Sequence, residues 1–79
     1  GVHKVLNERS ILLPSGKLLI PDKVMVREND VVVLDFKTGK KESKHEKQVH
    51  NYKKNLEGIF NQKVIPMLYY TKSNEFIQV

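Results

Sequence analysis

Hydrophobic positions recur with two different periods along this chain. Residues 2–13 mix β-branched and polar side chains, residues 17–26 continue that pattern, and residues 31–37 form a valine-rich run, so three strands are expected. Pro14-Ser15-Gly16 separates the first two strands and suits a type I turn closed by a left-handed glycine. Arg27-Glu28-Asn29-Asp30 is a polar turn between the second and third. The period then lengthens. Val49, Tyr52, Leu56, Ile59 and Phe60 fall at helical spacing, and Ser43 with Glu46 fits a capping box, predicting a helix over residues 44–59. Residues 64–71 return to strand character, with Pro66 arguing for an edge or a bulge, and residues 75–79 read as a last strand. The predicted order is βββαββ, an α/β chain with a mixed sheet and one covering helix. One helix covers only one face of such a sheet, so a further helical layer is expected, and with it a larger domain.

Composition narrows the choice. At 79 residues, 39% hydrophobic and 29% charged, the chain supports one small core. It has no cysteine, which excludes disulfide scaffolds and thiolate metal sites and fits a reducing compartment, so a cytoplasmic location is expected. No apolar run approaches the roughly 20 residues of a membrane helix, so no membrane partner is expected. Fourteen basic against nine acidic residues give a net charge of +5, which permits a polyanionic partner.

Strand parity and register locate the candidate chemistry. Asp35 and Lys37 share one face of the third strand. With Glu28 and Asn29 at the turn tip, paired residue numbers sum to 57, which sets Asp22 opposite Asp35. Two opposed carboxylates on an otherwise apolar face destabilise a sheet unless something resolves the conflict. A divalent cation does so, because Mg²⁺ commonly takes one or two carboxylates, waters and phosphate oxygens. Lys37 beside it would act on a water or on developing phosphorane charge. The plain alternative is exposed strand ends with Lys37 pairing one aspartate. The first turn gives a sum of 30, which places Glu8 opposite Asp22 as a third acid, or as a surface glutamate.

On the helix, Gln48 and Tyr52 are four residues apart and share a face. They suit orienting a phosphate, a base or a catalytic acid; otherwise Tyr52 is core and Gln48 lies at the solvent boundary. Lys40, Lys41, Lys44 and Lys47 surround the loop and helix start, where they could follow a nucleic-acid backbone or form a solvated face. His3, His45 and His50 lack metal-ligand spacing and are expected to be structural or surface residues.

Pro21-Asp22, then Asp35-Phe36-Lys37-Thr38-Gly39, then Gln48 and Tyr52 four residues apart resemble the PD-(D/E)xK nuclease superfamily, in its RecB-like branch. Glu8 to Leu12 and Ile20 to Val24 are similar to the C-terminal region of UvrD/Rep-type helicases. The resemblance spans nearly the whole chain. It implies a restriction-endonuclease-like core and Mg²⁺- or Mn²⁺-dependent cleavage of DNA within a helicase-nuclease repair protein. The helicase domain of the same polypeptide is then a partner. By position, Asp22, Asp35 and the Phe36 carbonyl would hold metal, and Lys37 would be the catalytic lysine. Glu8, Gln48 and Tyr52 would support them, and Lys40, Lys41, Lys44 and Lys47 would meet DNA. The branch also has a metal-binding histidine on a helix before the first strand. Residues 1–79 contain no such helix, which gives the expectation of a core fragment. A non-catalytic DNA-binding or protein-docking module on the same fold is the alternative. An OB-like barrel ranks last, because Tyr69 and Tyr70, its stacking candidates, point to opposite faces.

Overall fold

Alternating Val31, Val33, Val64 and Leu68 require a sheet with one dry face, and the apolar stripe Val49, Tyr52, Leu56 supplies its cover. The computed structural model describes residues 1–79 and shows this pairing. Seven strands and one helix follow in the order β1 (Val2–Asn7), β2 (Ile11–Leu12), β3 (Leu18–Leu19), β4 (Lys23–Arg27), β5 (Asp30–Lys37), α1 (Ser43–Phe60), β6 (Lys63–Tyr70) and β7 (Glu75–Gln78). Five strands form a mixed sheet in the order β1-β4-β5-β6-β7, and β2-β3 make a separate hairpin. Only β5 and β6 are parallel, joined through α1 as a βαβ unit. No helix is long and apolar enough to cross a membrane.

Both hairpin registers match the sums read from the turns. β4 and β5 pair Val24 with Val33 and Val26 with Val31, and β2 and β3 pair Ile11 with Leu19. Arg27 closes the first of these turns through two bonds to Asp30, at 2.5 and 2.7 Å. Gly16 closes the other at φ 88°, donating its N–H to the Leu13 carbonyl at 2.9 Å.

The two long N-terminal strands expected at 2–13 and 17–26 are each divided. The first breaks at Glu8, which takes a left-handed φ of 50°. The second breaks at residues 20–22, where Pro21 has no N–H for a ladder. Beyond these breaks the β2-β3 hairpin leaves the sheet and places Leu13 and Leu19 in the core shared with Val49, Tyr52 and Leu56.

Two further expectations are corrected. Ser43 is not the N-cap: Glu42 holds that position in extended geometry, without a side-chain cap bond. Its carboxylate meets Lys44 at 3.4 Å and His45 at 3.2 Å instead. Pro66 does not mark an edge, since β6 lies between β5 and β7. Its carbonyl accepts from Val79 at 3.1 Å, so its missing N–H also falls on the β7 side and leaves the parallel ladder with β5 intact. The helix ends at Asn61, left-handed at φ 51°, whose N–H reaches the Glu57 carbonyl. It covers one face only. Val32, Leu34, Ile65 and Met67 lie on the other face of β5 and β6.

Candidate metal and phosphate site

Asp35 and Lys37 occupy the carboxyl end of β5, beside β6 running in the same direction. Ligand crevices of α/β sheets form at such ends. Asp35 shares the helix-facing side of β5 with Val31 and Val33 and is only 4% exposed. One step beyond the last ladder pair of β4 and β5 lies Asp22. Each aspartate side chain accepts from the backbone of the other strand. The Asp22 N–H donates to Asp35 Oδ1 at 3.1 Å, and the Phe36 N–H donates to Asp22 Oδ2 at 2.8 Å. Each carboxylate is thereby fixed through one oxygen, and Asp22 Oδ1 and Asp35 Oδ2 keep their capacity to bind something else.

A line of polar groups continues from there. Lys37 Nζ lies 3.6 Å from Asp35 Oδ2 and donates to Gln48 Oε1 at 2.6 Å. Gln48 Nε2 then donates to the Tyr52 hydroxyl at 3.2 Å. The order follows from the fold. The chain re-enters as α1 six residues after Lys37, so the second helical turn stands over the end of β5. Tyr52 belongs to both readings made of it: its ring is core, 8% exposed, and its hydroxyl ends this line.

The electrostatics show strain. Burial pushes the Asp35 carboxyl above its usual range. The Asp22 N–H opposes this, the Asp22 charge adds to it, and Lys37 opposes it. Burial likewise raises the Tyr52 phenol, with the Asp35 charge next in weight. Tyr52 therefore stays protonated at neutral pH. Because its oxygen accepts from Gln48, its own O–H remains available as a donor.

A hard cation suits this donor set. Two carboxylates on adjacent strands each retain an oxygen, and the repulsion between them is the kind a divalent ion removes. Glu8 does not join them. Its N–H bonds the Asp22 carbonyl at 3.0 Å, as the register requires. Its left-handed backbone breaks the strand alternation, its side chain is exposed, and no cluster of three acidic or histidine side chains forms.

The lysines divide into two kinds. Lys41 bonds Glu75 at 3.2 Å and Lys44 bonds Glu42 at 3.4 Å, whereas Lys40 and Lys47 are exposed and without a carboxylate partner. His45 is structural: it is buried, with Nδ1 3.0 Å from the Tyr70 hydroxyl. The sequence did not point to Lys17, Asn51, Lys54 and Asn55. They line a cleft of ≈ 390 Å³ between the β2-β3 hairpin and α1. The only signal for it in the sequence is the asparagine pair four residues apart on the stripe of Gln48. No protein-family model and no curated protein matches the chain.

Proposed function

We propose that the chain is the core of a metal-dependent deoxyribonuclease with a restriction-endonuclease-like fold. It would act on DNA within a longer helicase-nuclease polypeptide of the PD-(D/E)xK type. The observation that carries this reading is the opposed pair Asp22 and Asp35, cross-bonded through the Asp22 and Phe36 N–H groups, with Lys37 Nζ 3.6 Å from the buried member of the pair.

Asp22, Asp35 and the Phe36 carbonyl would hold Mg²⁺ or Mn²⁺. When bound, such an ion supplies Lewis-acid polarisation of a phosphoryl oxygen. The chain's own groups do the rest. Asp35 and Gln48 hold the Lys37 ammonium between them, where it can orient an attacking water and offset charge developing on the phosphorus. Gln48 is locked in one amide orientation because its oxygen accepts from Lys37 and its nitrogen donates to Tyr52. The Tyr52 O–H is left to donate to a substrate oxygen. Lys40, Lys41, Lys44 and Lys47 lie around the approach to this end of the sheet and would neutralise backbone phosphates.

Incubating the chain with linear and single-stranded DNA in Mg²⁺, Mn²⁺ or EDTA tests the reading. Cleavage should need the divalent ion and vanish in Asp35→Ala. DNA binding without cleavage under every metal condition would favour the non-catalytic module.

A further inference from the structure

We propose that the cleft between the β2-β3 hairpin and α1 binds one nucleotide of a single DNA strand, next to the phosphate that would react at the Asp22, Asp35 and Lys37 end of the sheet. This inference rests on the nuclease reading above and names how that site would take its substrate.

The cleft has the chemistry of a nucleotide site. Its volume, ≈ 390 Å³, is that of a small-ligand pocket and takes one nucleotide, not a base pair. Its lining includes two lysines, Lys17 and Lys54, and no acid. Neither lysine makes a salt bridge, unlike Lys41, Lys44 and Lys53, so both ammonium groups are available to a phosphate. Leu13 and Leu19 are buried beneath, and Leu18, 57% exposed, offers an apolar surface to a sugar or base. The asparagines supply the remaining polarity. Asn55 Nδ2 donates to the Asn51 carbonyl at 2.8 Å and lies 3.3 Å from Asn51 Oδ1. Asn51 Nδ2 and Asn55 Oδ1 therefore stay free, one donor and one acceptor, the pair of functions that reads a base edge.

The cleft is also continuous with the reacting end. Gln48, Asn51, Tyr52 and Asn55 fall on one helical face at offsets of three, four and seven. Gln48 bonds Lys37 at one end of this stripe, and Asn55 lies roughly 10 Å further along the axis, in the cleft. The opposite wall is the hairpin whose second strand, β3, leads within three residues to Asp22. A strand reacting at this end of the sheet has a polar path along α1 into the cleft, with the β2-β3 hairpin as its other wall.

Fluorescence anisotropy of a labelled single-stranded DNA octamer, in EDTA, tests this. Lys54→Glu and Lys63→Glu change net charge equally, but Lys63 opens β6 and does not line the cleft. Lys54→Glu should weaken binding about tenfold or more, Lys63→Glu at most about threefold, and the octamer should outbind its own duplex. In the wild-type chain, the Asn51 and Asn55 side-chain amide signals should shift on titration with the octamer. Equal losses in the two charge variants, or unshifted amide signals, would overturn the cleft. Cleavage in Mg²⁺ is read separately. If Asp35→Ala cuts like the wild type, the nuclease reading fails while the binding arm still judges the cleft.

Discussion

Asp22 and Asp35 hold one another in place: the Asp22 N–H donates to the Asp35 carboxylate and the Asp22 carboxylate accepts from Phe36, the residue after Asp35. The arrangement orients two negative groups toward one side of the sheet, and of the two only Asp35 has a salt-bridge partner, Lys37 at 3.6 Å. Asp35, buried and with its acidity weakened, bears most of the cost. A well-positioned pair with its buried member's charge disfavoured is the feature on which the proposed metal site rests.

That cost is measurable. Because the folded-state pKa of Asp35 is raised, its protonated form favours folding at low pH. This contribution is lost as pH rises through the folded-state pKa, where the buried carboxyl takes up its charge. Asp35→Asn keeps the oxygen that accepts from Asp22 and removes the charge. At pH 7 in EDTA it should melt higher than the wild type. The gap should close toward pH 4. Scanning calorimetry across pH checks both statements.

Lys37→Ala should lower DNA cleavage by about 10² to 10³ while leaving DNA affinity within about threefold. Its ammonium is committed to Asp35 and Gln48, so its loss removes an interaction at the reacting centre and little of the backbone attraction. Single-turnover rates with anisotropy on the same oligonucleotide separate the two effects.

Tyr52 joins structure and chemistry, and two substitutions part them. Tyr52→Ala empties a core position 8% exposed and should cost about 3–5 kcal/mol, near the whole stability of a domain this small. Tyr52→Phe keeps the ring and loses only the hydroxyl that Gln48 contacts. It should stay folded, losing about 1 kcal/mol or less in urea denaturation, and still cleave more slowly.

Among the basic residues, Lys40 and Lys47 have no carboxylate partner, whereas Lys41 and Lys44 meet Glu75 and Glu42. Alanine at Lys40 or Lys47 should each flatten the logarithmic salt dependence of single-strand binding by up to about 0.7, and alanine at Lys41 or Lys44 by less. Affinities at several salt concentrations give the slopes.

The local parts of this arrangement were legible in the sequence. Turn residues fixed both hairpin registers, and the sum of 57 alone set Asp22 against Asp35. Helical spacing put Gln48 and Tyr52 on one face, and the short loop after Lys37 put that face at the right end of the sheet. What escaped depends on tertiary packing. The hairpin folds over α1 because Leu13 and Leu19 find the core there, which no alternation in residues 2–26 announces, and the cleft exists only because of that fold. Pro66 looked like an edge marker because its ladder partner was unknown; with its bare nitrogen on the β7 side, an interior position is tolerated. Ser43 and Glu46 have capping-box spacing, yet the helix begins with Ser43 already inside it, one residue past the actual cap at Glu42.

Mn²⁺ titration followed by backbone amide NMR addresses the metal site most directly, since it needs neither substrate nor turnover. Paramagnetic broadening should begin at Asp22, Asp35 and Phe36, compete away with Mg²⁺, and disappear in Asp35→Ala. Broadening centred elsewhere, for instance at Glu42 or Glu75, or broadening at Asp22 that persists in Asp35→Ala, would contradict a metal site built from this pair of aspartates.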